Sequence, residues 1–250
     1  MIYDNYIFDL YGTLIDIHTD ESTPQLWEFM ADYLKDNFKV SYSAASLNEI
    51  YLKLCAKETA ALSKRNGSKY PEIKIEWVWQ KIIGKDCSDD EMRLLCNTFR
   101  EKSRDKFQVY SKVTENLQAL KALGKGIYLL SNAQRLFTEK ELEDTKLTSY
   151  FDDIFISSDF EIKKPDSNFI KALMDKHHLT LDHTVMVGNE VIADMGSAIA
   201  AGIDGIYLNT YSHTDAELEK DFEAIGAADS DVNITIINDG PKSFESLLLI

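Results

Sequence analysis

Tyr6-Ile7-Phe8-Asp9-Leu10-Tyr11-Gly12-Thr13-Leu14 decides how the rest of the chain is read. An apolar run from Ile2 to Phe8, broken only by polar Asp4 and Asn5, stops on a carboxylate and gives way at once to a Gly-Thr turn. A short apolar run that ends in a turn reads as a buried strand. A carboxylate at its last position would project from the carboxyl end of a parallel sheet, the edge where open α/β sheets bind ligands. The competing reading makes Asp9 a plain turn cap, with Gly12 supplying the turn's geometry. This stretch alone leaves the two level.

Outward from it, the pattern is first helical. After a polar passage through Asp16, His18, Asp20 and Glu21, Thr23 can cap a helix that has Pro24 at its first position. Trp27, Met30, Tyr33 and Leu34 continue it to about residue 38. A second helix is expected from about 43 or 46 to 66, and a third over 73–83, stopped by Gly84. Ser88 with Glu91 three places on is a capping box, and it opens a fourth helix expected to reach about 107. Residues 17–108 therefore read as all-helical, with no strand.

Beyond residue 110 the grammar alternates. Helices are expected over 115–123, 136–146, 166–177 and 192–201, with a last one ending at 249. Strands are expected over 127–130, 153–156, 184–187, 205–208 and 233–237. Strands alternating with helices imply a parallel sheet with crossover helices. The expected fold is α/β, a Rossmann-like parallel-sheet core with helices on both faces. That core would take residues 1–16 and 109–250, with an all-helical domain of residues 17–108 inserted after the first strand.

Composition narrows the partners. The 250 residues are 44% hydrophobic and 28% charged, enough to bury a full core. A formal charge of −15 gives no attraction to nucleic acid or to anionic membranes. Cys55, Cys87 and Cys96 follow no metal spacing and read as reduced packing residues. No uncharged apolar run is long enough to span a bilayer, and Asp4 and Asp9 argue against a signal peptide. A cytoplasmic protein is expected.

Four short motifs in order make the chain resemble the haloacid dehalogenase superfamily of hydrolases. They are Asp9-Leu10-Tyr11-Gly12-Thr13-Leu14; Leu129-Leu130-Ser131-Asn132; Lys164-Pro165-Asp166; and Val187-Gly188-Asn189-Glu190 with Asp194, running into Gly196. Each stands at or beside the end of an expected strand. The resemblance implies that the helical insert is a mobile cap and that Asp9 is a nucleophile whose covalent intermediate water releases. It implies that Ser131 donates its hydroxyl to the substrate's anionic group, and that Lys164 holds nucleophile and anion together. Gly12 and Thr13 would offer backbone N–H groups to the same anion, and Asn132 would join them in binding it. It also implies Mg²⁺, held by Asp9, the Tyr11 carbonyl and an acidic or amide group among Asn189, Glu190 and Asp194.

The chain departs from that pattern twice. Asn189 stands where the family commonly has an aspartate. Tyr11 stands where its phosphatases carry the acid that protonates the leaving alcohol, help worth about 10²–10⁴-fold. A tyrosine, with an ordinary pKa of about 10, is a poor base near neutrality. Tyrosine at this place is similar to the 2-haloacid dehalogenase branch, where halide leaves without a proton. That branch also resembles Ser-Ser-Asn at the fourth motif and uses an early cap arginine, whereas this chain has no arginine before Arg65. The expected function is Mg²⁺-dependent hydrolysis of a small phosphate monoester; a 2-haloacid dehalogenase and a catalytically weak ligand-binding protein are the alternatives. Arg93, Arg100 and Arg104 fall on one face of the expected fourth helix, either lining a cleft or solvated.

Overall fold

The computed structural model describes residues 3–249, which leaves Ile2 of the opening apolar run outside the described residues. In chain order, β1 (Asn5–Phe8) leads through the Gly12 turn to β2 (Ile15–Thr19). Four helices follow, α1 (Pro24–Phe38), α2 (Ala44–Asn66), α3 (Ile75–Ile83) and α4 (Asp89–Ser103), and then β3 (Arg104–Val109). The rest alternates: α5 (Val113–Ala122), β4 (Gly126–Ser131), α6 (Arg135–Thr145), β5 (Asp153–Ile156), α7 (Ser157–Phe160), α8 (Ser167–His177) and β6 (Thr184–Gly188). After a π-helical turn, Val191–Met195, come α9 (Gly196–Ala201), β7 (Asp204–Leu208), α10 (Asp215–Ala224) and β8 (Ile234–Ile237).

Six strands form one parallel sheet in the order β5-β4-β1-β6-β7-β8. Strand β1 is central, and Tyr6, Ile7 and Phe8 are all buried, as a strand covered on both faces requires. Phe8, Leu129, Val187 and Leu208 pack to one side with Leu117 and Phe244. Ile7, Leu130, Met186 and Tyr207 pack to the other with Phe169 and Leu173 of α8. The expected α/β sheet with helices on both faces is therefore present.

The reading of residues 17–108 as wholly helical needs correction. β2 and β3 pair antiparallel, with Ile15 opposite Val109 and Ile17 opposite Phe107. Helix α4 thus ends at Ser103 rather than near 107. The reason is tertiary: Ile17, Phe107 and Val109 pack onto the core cluster beneath the sheet, and that outweighs the helical pattern of a charged stretch. Three smaller differences concern the C-terminal part. The helix expected over 192–201 opens as the π turn, the last helix is a 3₁₀ segment, Gly240–Leu249, and α10 was not expected. Among the described residues no helix is long and apolar enough to cross a membrane.

Helices α1–α4 bury their own aromatic cluster. Trp27, Tyr51, Trp79 and Phe99 stack with ring centroids 5.1–5.8 Å apart, and Phe137 of α6 joins them. The block meets the sheet's carboxyl edge at two places besides the β2–β3 ribbon. Its α2–α3 loop pairs with the loop after β5: Pro71 bridges Ile162, the Lys163 N–H donates to the Tyr70 carbonyl at 2.9 Å, and Ser68 Oγ donates to Asp166 at 2.6 Å. The C-terminal part of α4 lies against α6.

Candidate active site

Asp9 directly follows β1, and its N–H donates to the Val187 carbonyl of β6 at 2.9 Å, so the sheet's own ladder fixes its backbone. The carboxylate is buried, at 6% exposure. The Lys164 ammonium donates to Asp9 Oδ1 at 2.5 Å and to Asp194 Oδ1 at 2.7 Å. Three expected site residues from distant parts of the chain therefore meet at one ammonium. Burial pushes the Asp9 carboxyl above its ordinary range, Lys164 opposes that, and the like charge of Asp194 reinforces it. Burial also works to strip Lys164 of its proton, but Asp194 and Asp9 more than reverse it, so the lysine stays charged.

Asn132 has a different task from the one its motif implies. Its Oδ1 accepts from the Lys164 N–H at 2.8 Å and its Nδ2 donates to the Lys164 carbonyl at 3.2 Å. Both ends of the amide hold the lysine's backbone, so Asn132 braces Lys164, and one N–H of its amide is left over. Gly12 also departs from expectation. Its N–H donates to the Ile15 carbonyl at 2.8 Å within the turn, and its carbonyl accepts from Thr210 Oγ1 at 2.6 Å. It stands at φ +80°, and a Cβ there would fall 2.3 Å from Asn189 Nδ2, so only glycine fits.

Thr13 Oγ1 lies 3.0 Å from Asn189 Oδ1 and 3.4 Å from Asp9 Oδ2, linking the first motif to the fourth. Asp194 is delivered by the π turn, a feature common at functional sites. Its Oδ2 accepts the Glu190 N–H at 2.9 Å, while the Glu190 side chain is exposed. Gly188 makes room for Asp194: a Cβ on Gly188 would lie 2.2 Å from Asp194 Oδ2. Gly188→Ala is therefore expected to expel that carboxylate, leave Lys164 with one partner, and lower turnover by about 10²-fold through misplacement alone. Comparison of kcat and of melting temperature with those of wild type checks this.

Two buried polar atoms here have no partner, Ser131 Oγ and Asn189 Nδ2; among the described residues only Trp79 Nε1 shares that condition. An unsatisfied buried donor costs about 1–3 kcal/mol, so these two groups call for a partner such as a water, an ion or a ligand. Ser131 ends β4, which runs beside β1 with Leu129 opposite Phe8, so it shares the carboxyl edge with Asp9.

Tyr11 does not join this group through its hydroxyl. The phenol donates to Glu141 and lies 3.1 Å from Thr138 Oγ1, both on α6. Burial of that hydroxyl and then the charge of Glu141 raise its pKa far above the ordinary value. Glu141 also accepts from Arg100 Nε and from Arg104 Nη1, each at 2.8 Å, and Arg100 stacks over the Tyr11 ring at 5.2 Å. The arginine stripe thus divides: Arg100 and Arg104 are largely buried, while Arg93 stays solvated. Arg100 and Arg104 clamp Glu141, Arg93 pairs with Glu139 at 2.6 Å, and Arg104 stands on β3 rather than on the helix.

Among the described residues no group of three or more His, Cys, Asp or Glu side chains is gathered to hold a metal. The donors fit Mg²⁺ nonetheless. Asp9 and Asp194 share one ammonium, so the buried group carries one negative charge in excess. Asn189 adds an amide that a half-turn would present oxygen first, and hard oxygen donors with one or two carboxylates suit Mg²⁺. The Glu190 N–H serves Asp194, while its side chain is more exposed than the others and its charge still bears on Asp9, Asp194 and Lys164.

The profile described as haloacid dehalogenase-like hydrolase matches residues 6–208. A phosphoglycolate phosphatase from Aliivibrio fischeri is 29% identical over 143 residues, 55% of this chain and 62% of that enzyme. The chain thus spans less than two thirds of that relative. A solved dehalogenase superposes with a TM-score of 0.57 at 17% identity, over 99% of this chain and 97% of that one. The HAD-hydrolase YfnB from Bacillus subtilis, solved bound to magnesium, superposes with a TM-score of 0.51 at 17% identity, over 90% of this chain and 100% of that one. At such identities the structural likenesses speak for the fold alone.

Proposed function

Because the chain belongs to the haloacid dehalogenase-like hydrolases, we propose that it hydrolyses a small phosphate monoester with Asp9 as nucleophile. The observation that carries this reading is the Lys164 ammonium held at once by Asp9 and Asp194 beside the unpartnered Ser131 hydroxyl. An anionic phosphoryl group approaching a carboxylate meets like charge, and Lys164 offsets it at the place where charge builds up. Ser131 donates to a phosphoryl oxygen, and Asn132 keeps Lys164 in register. Attack by Asp9 gives an aspartyl phosphate, which water then cleaves.

Asp9, Asn189 and Asp194 would hold Mg²⁺. When bound, the ion would neutralise charge on the transferring group. The Tyr11 hydroxyl is on Glu141, away from the Asp9 group, so it serves neither reading as an acid or base. What favours phosphate is the fourth motif, Gly188-Asn189-Glu190 with Asp194, and the lack of an arginine before Arg65. We read helices α1–α4, within residues 17–108, as a cap over a core of residues 1–16 and 109–250. It must part from the loop after β5 to admit substrate. The substrate is a small-molecule anion met in the cytoplasm, with no nucleic-acid or membrane partner.

With no carboxylic acid at residue 11, the leaving alcohol departs without a proton donor at that place. An aryl phosphate, whose leaving group needs little help, is expected to turn over about 10²-fold faster than an alkyl phosphate. Rates on p-nitrophenyl phosphate and glycerol phosphate, each with Mg²⁺ and with chelator, test the proposal. Magnesium-independent release, or halide release from a 2-haloacid in chelator, would refute it.

A further inference from the structure

We propose that Tyr11 is a positioning residue: through Glu141 it ties the turn after the nucleophile to Arg100 of α4 and Arg104 of β3. The turn is then held most firmly while both arginines are seated on that carboxylate. This rests on the reading of Asp9 as nucleophile and adds how its surroundings are assembled.

Three segments remote in sequence converge on one carboxylate. The Tyr11 phenol comes from the turn, Arg100 from α4 and Arg104 from the start of β3, while Glu141 comes from α6 of the core and is 1% exposed. Arg100 is shared a second way, its guanidinium lying 5.2 Å from the Tyr11 ring and 5.4 Å from the Phe137 ring. The convergence is closed in the chemical sense. The phenol's single proton is given to Glu141, and two guanidinium groups saturate the carboxylate's remaining capacity.

The turn itself is small and gripped at two points. Its internal bonds are Gly12 N–H to the Ile15 carbonyl and Leu14 N–H to the Leu10 carbonyl, both at 2.8 Å. On one side Thr210 holds the Gly12 carbonyl at 2.6 Å; on the other Glu141 holds the Tyr11 phenol. The first grip lies wholly within the core. The second also joins two core residues, but Arg100 of α4 and Arg104 of β3 complete the partners of Glu141, so moving them away strips that carboxylate of its cations and Tyr11 of its stacked guanidinium. Thr13, next in the same turn, touches Asn189 and Asp9. Slack at Tyr11 therefore reaches the nucleophile within two residues. The phenol acts through Glu141 and never on a substrate.

The test uses the full chain, with hydrogen exchange at the amides of residues 12–15 read in the absence of substrate. Tyr11→Phe keeps the ring and removes only the tether; Glu141→Gln weakens both arms. Each is expected to raise exchange at those amides by about tenfold and to lower kcat by about 10–10²-fold. KM and the shape of the pH profile should stay unchanged. Arg93→Ala, which breaks an exposed pair on the same α4–α6 contact, should leave exchange at the turn as in wild type. Should Glu141→Gln fail to fold, Tyr11→Phe decides alone. Loss of one limb of the pH profile in Tyr11→Phe would make Tyr11 an acid and overturn the proposal. Unchanged exchange in Tyr11→Phe would overturn it too, as would equal loosening by Arg93→Ala. A wild type without phosphatase activity but with this exchange pattern would refute the proposed function and leave the tether standing.

Discussion

Asp9→Asn is expected to lower turnover by at least about 10³-fold, the scale on which loss of a nucleophile is felt, while making the protein harder to unfold. The two halves of this result have one origin. Burial raises the folded-state pKa of Asp9 above its unfolded value. A carboxyl with that sign of shift costs stability above its folded pKa and costs none below its unfolded pKa. At neutral pH the wild type bears the cost; asparagine has the same shape and no charge to desolvate. Lys164 keeps Asp194 as partner at 2.7 Å. Urea unfolding at pH 7.5 in chelator should therefore show a higher midpoint for the variant, and the difference should shrink toward pH 4. A variant that loses both activity and stability would show that Asp9 is a structural member of the ion cluster.

Lys164→Met should do the reverse, destroying both properties. The methionine fills most of the space but leaves two buried carboxylates facing each other without a cation. Removing one partner from a buried ion pair costs about 3–5 kcal/mol, and here one side chain serves two. Turnover should vanish with the charge that brings nucleophile and phosphoryl group together. The stability loss should be greatest at neutral pH and partly recovered on acidification, because protonating Asp9 removes the repulsion. Chemical denaturation at three pH values checks the sign. Lys164→Arg should not rescue, since the ammonium is buried at 3% exposure and a guanidinium is larger and planar.

The sheet was legible because short apolar runs bounded by turn residues mark buried strands. Two such runs lead straight to Asp9 and Ser131; Lys164 lies beyond α7 and Asp194 in the π turn after β6. Asp9, Ser131, Lys164 and Asp194 owe their placement to β1, β4, the loop after β5 and the turn after β6. The parallel order carries all of them to one edge. The β2–β3 ribbon was not legible. Ile15 and Ile17 alternate over too few residues, and residues 104–109 carry on the charged pattern of α4; only their mutual pairing makes them strands. Glu141 gave no signal either. It sits on a helix rich in exposed charge, and its burial depends on arginines some forty positions earlier. For Asn132 and Gly12 the motif marked a place correctly but not the bond made there, because backbone partners leave no trace in side-chain spacing. The capping box of Thr214 with Glu217, which opens α10, is a signal that the sequence does carry.

The central position of β1 also governs biosynthesis. Asn5 pairs with Gly126 on one side and Thr184 on the other, so β1 has neither neighbouring strand until β4, Gly126–Ser131, has been made. Helices α1–α4, whose contacts are local, can fold while it waits. Tyr6, Ile7 and Phe8 meanwhile stay open to chaperones and to other nascent chains. The strand that leads to Asp9 is thus secured only once β4 and β6 exist, and an incomplete chain cannot bring Asp9, Lys164 and Asp194 together.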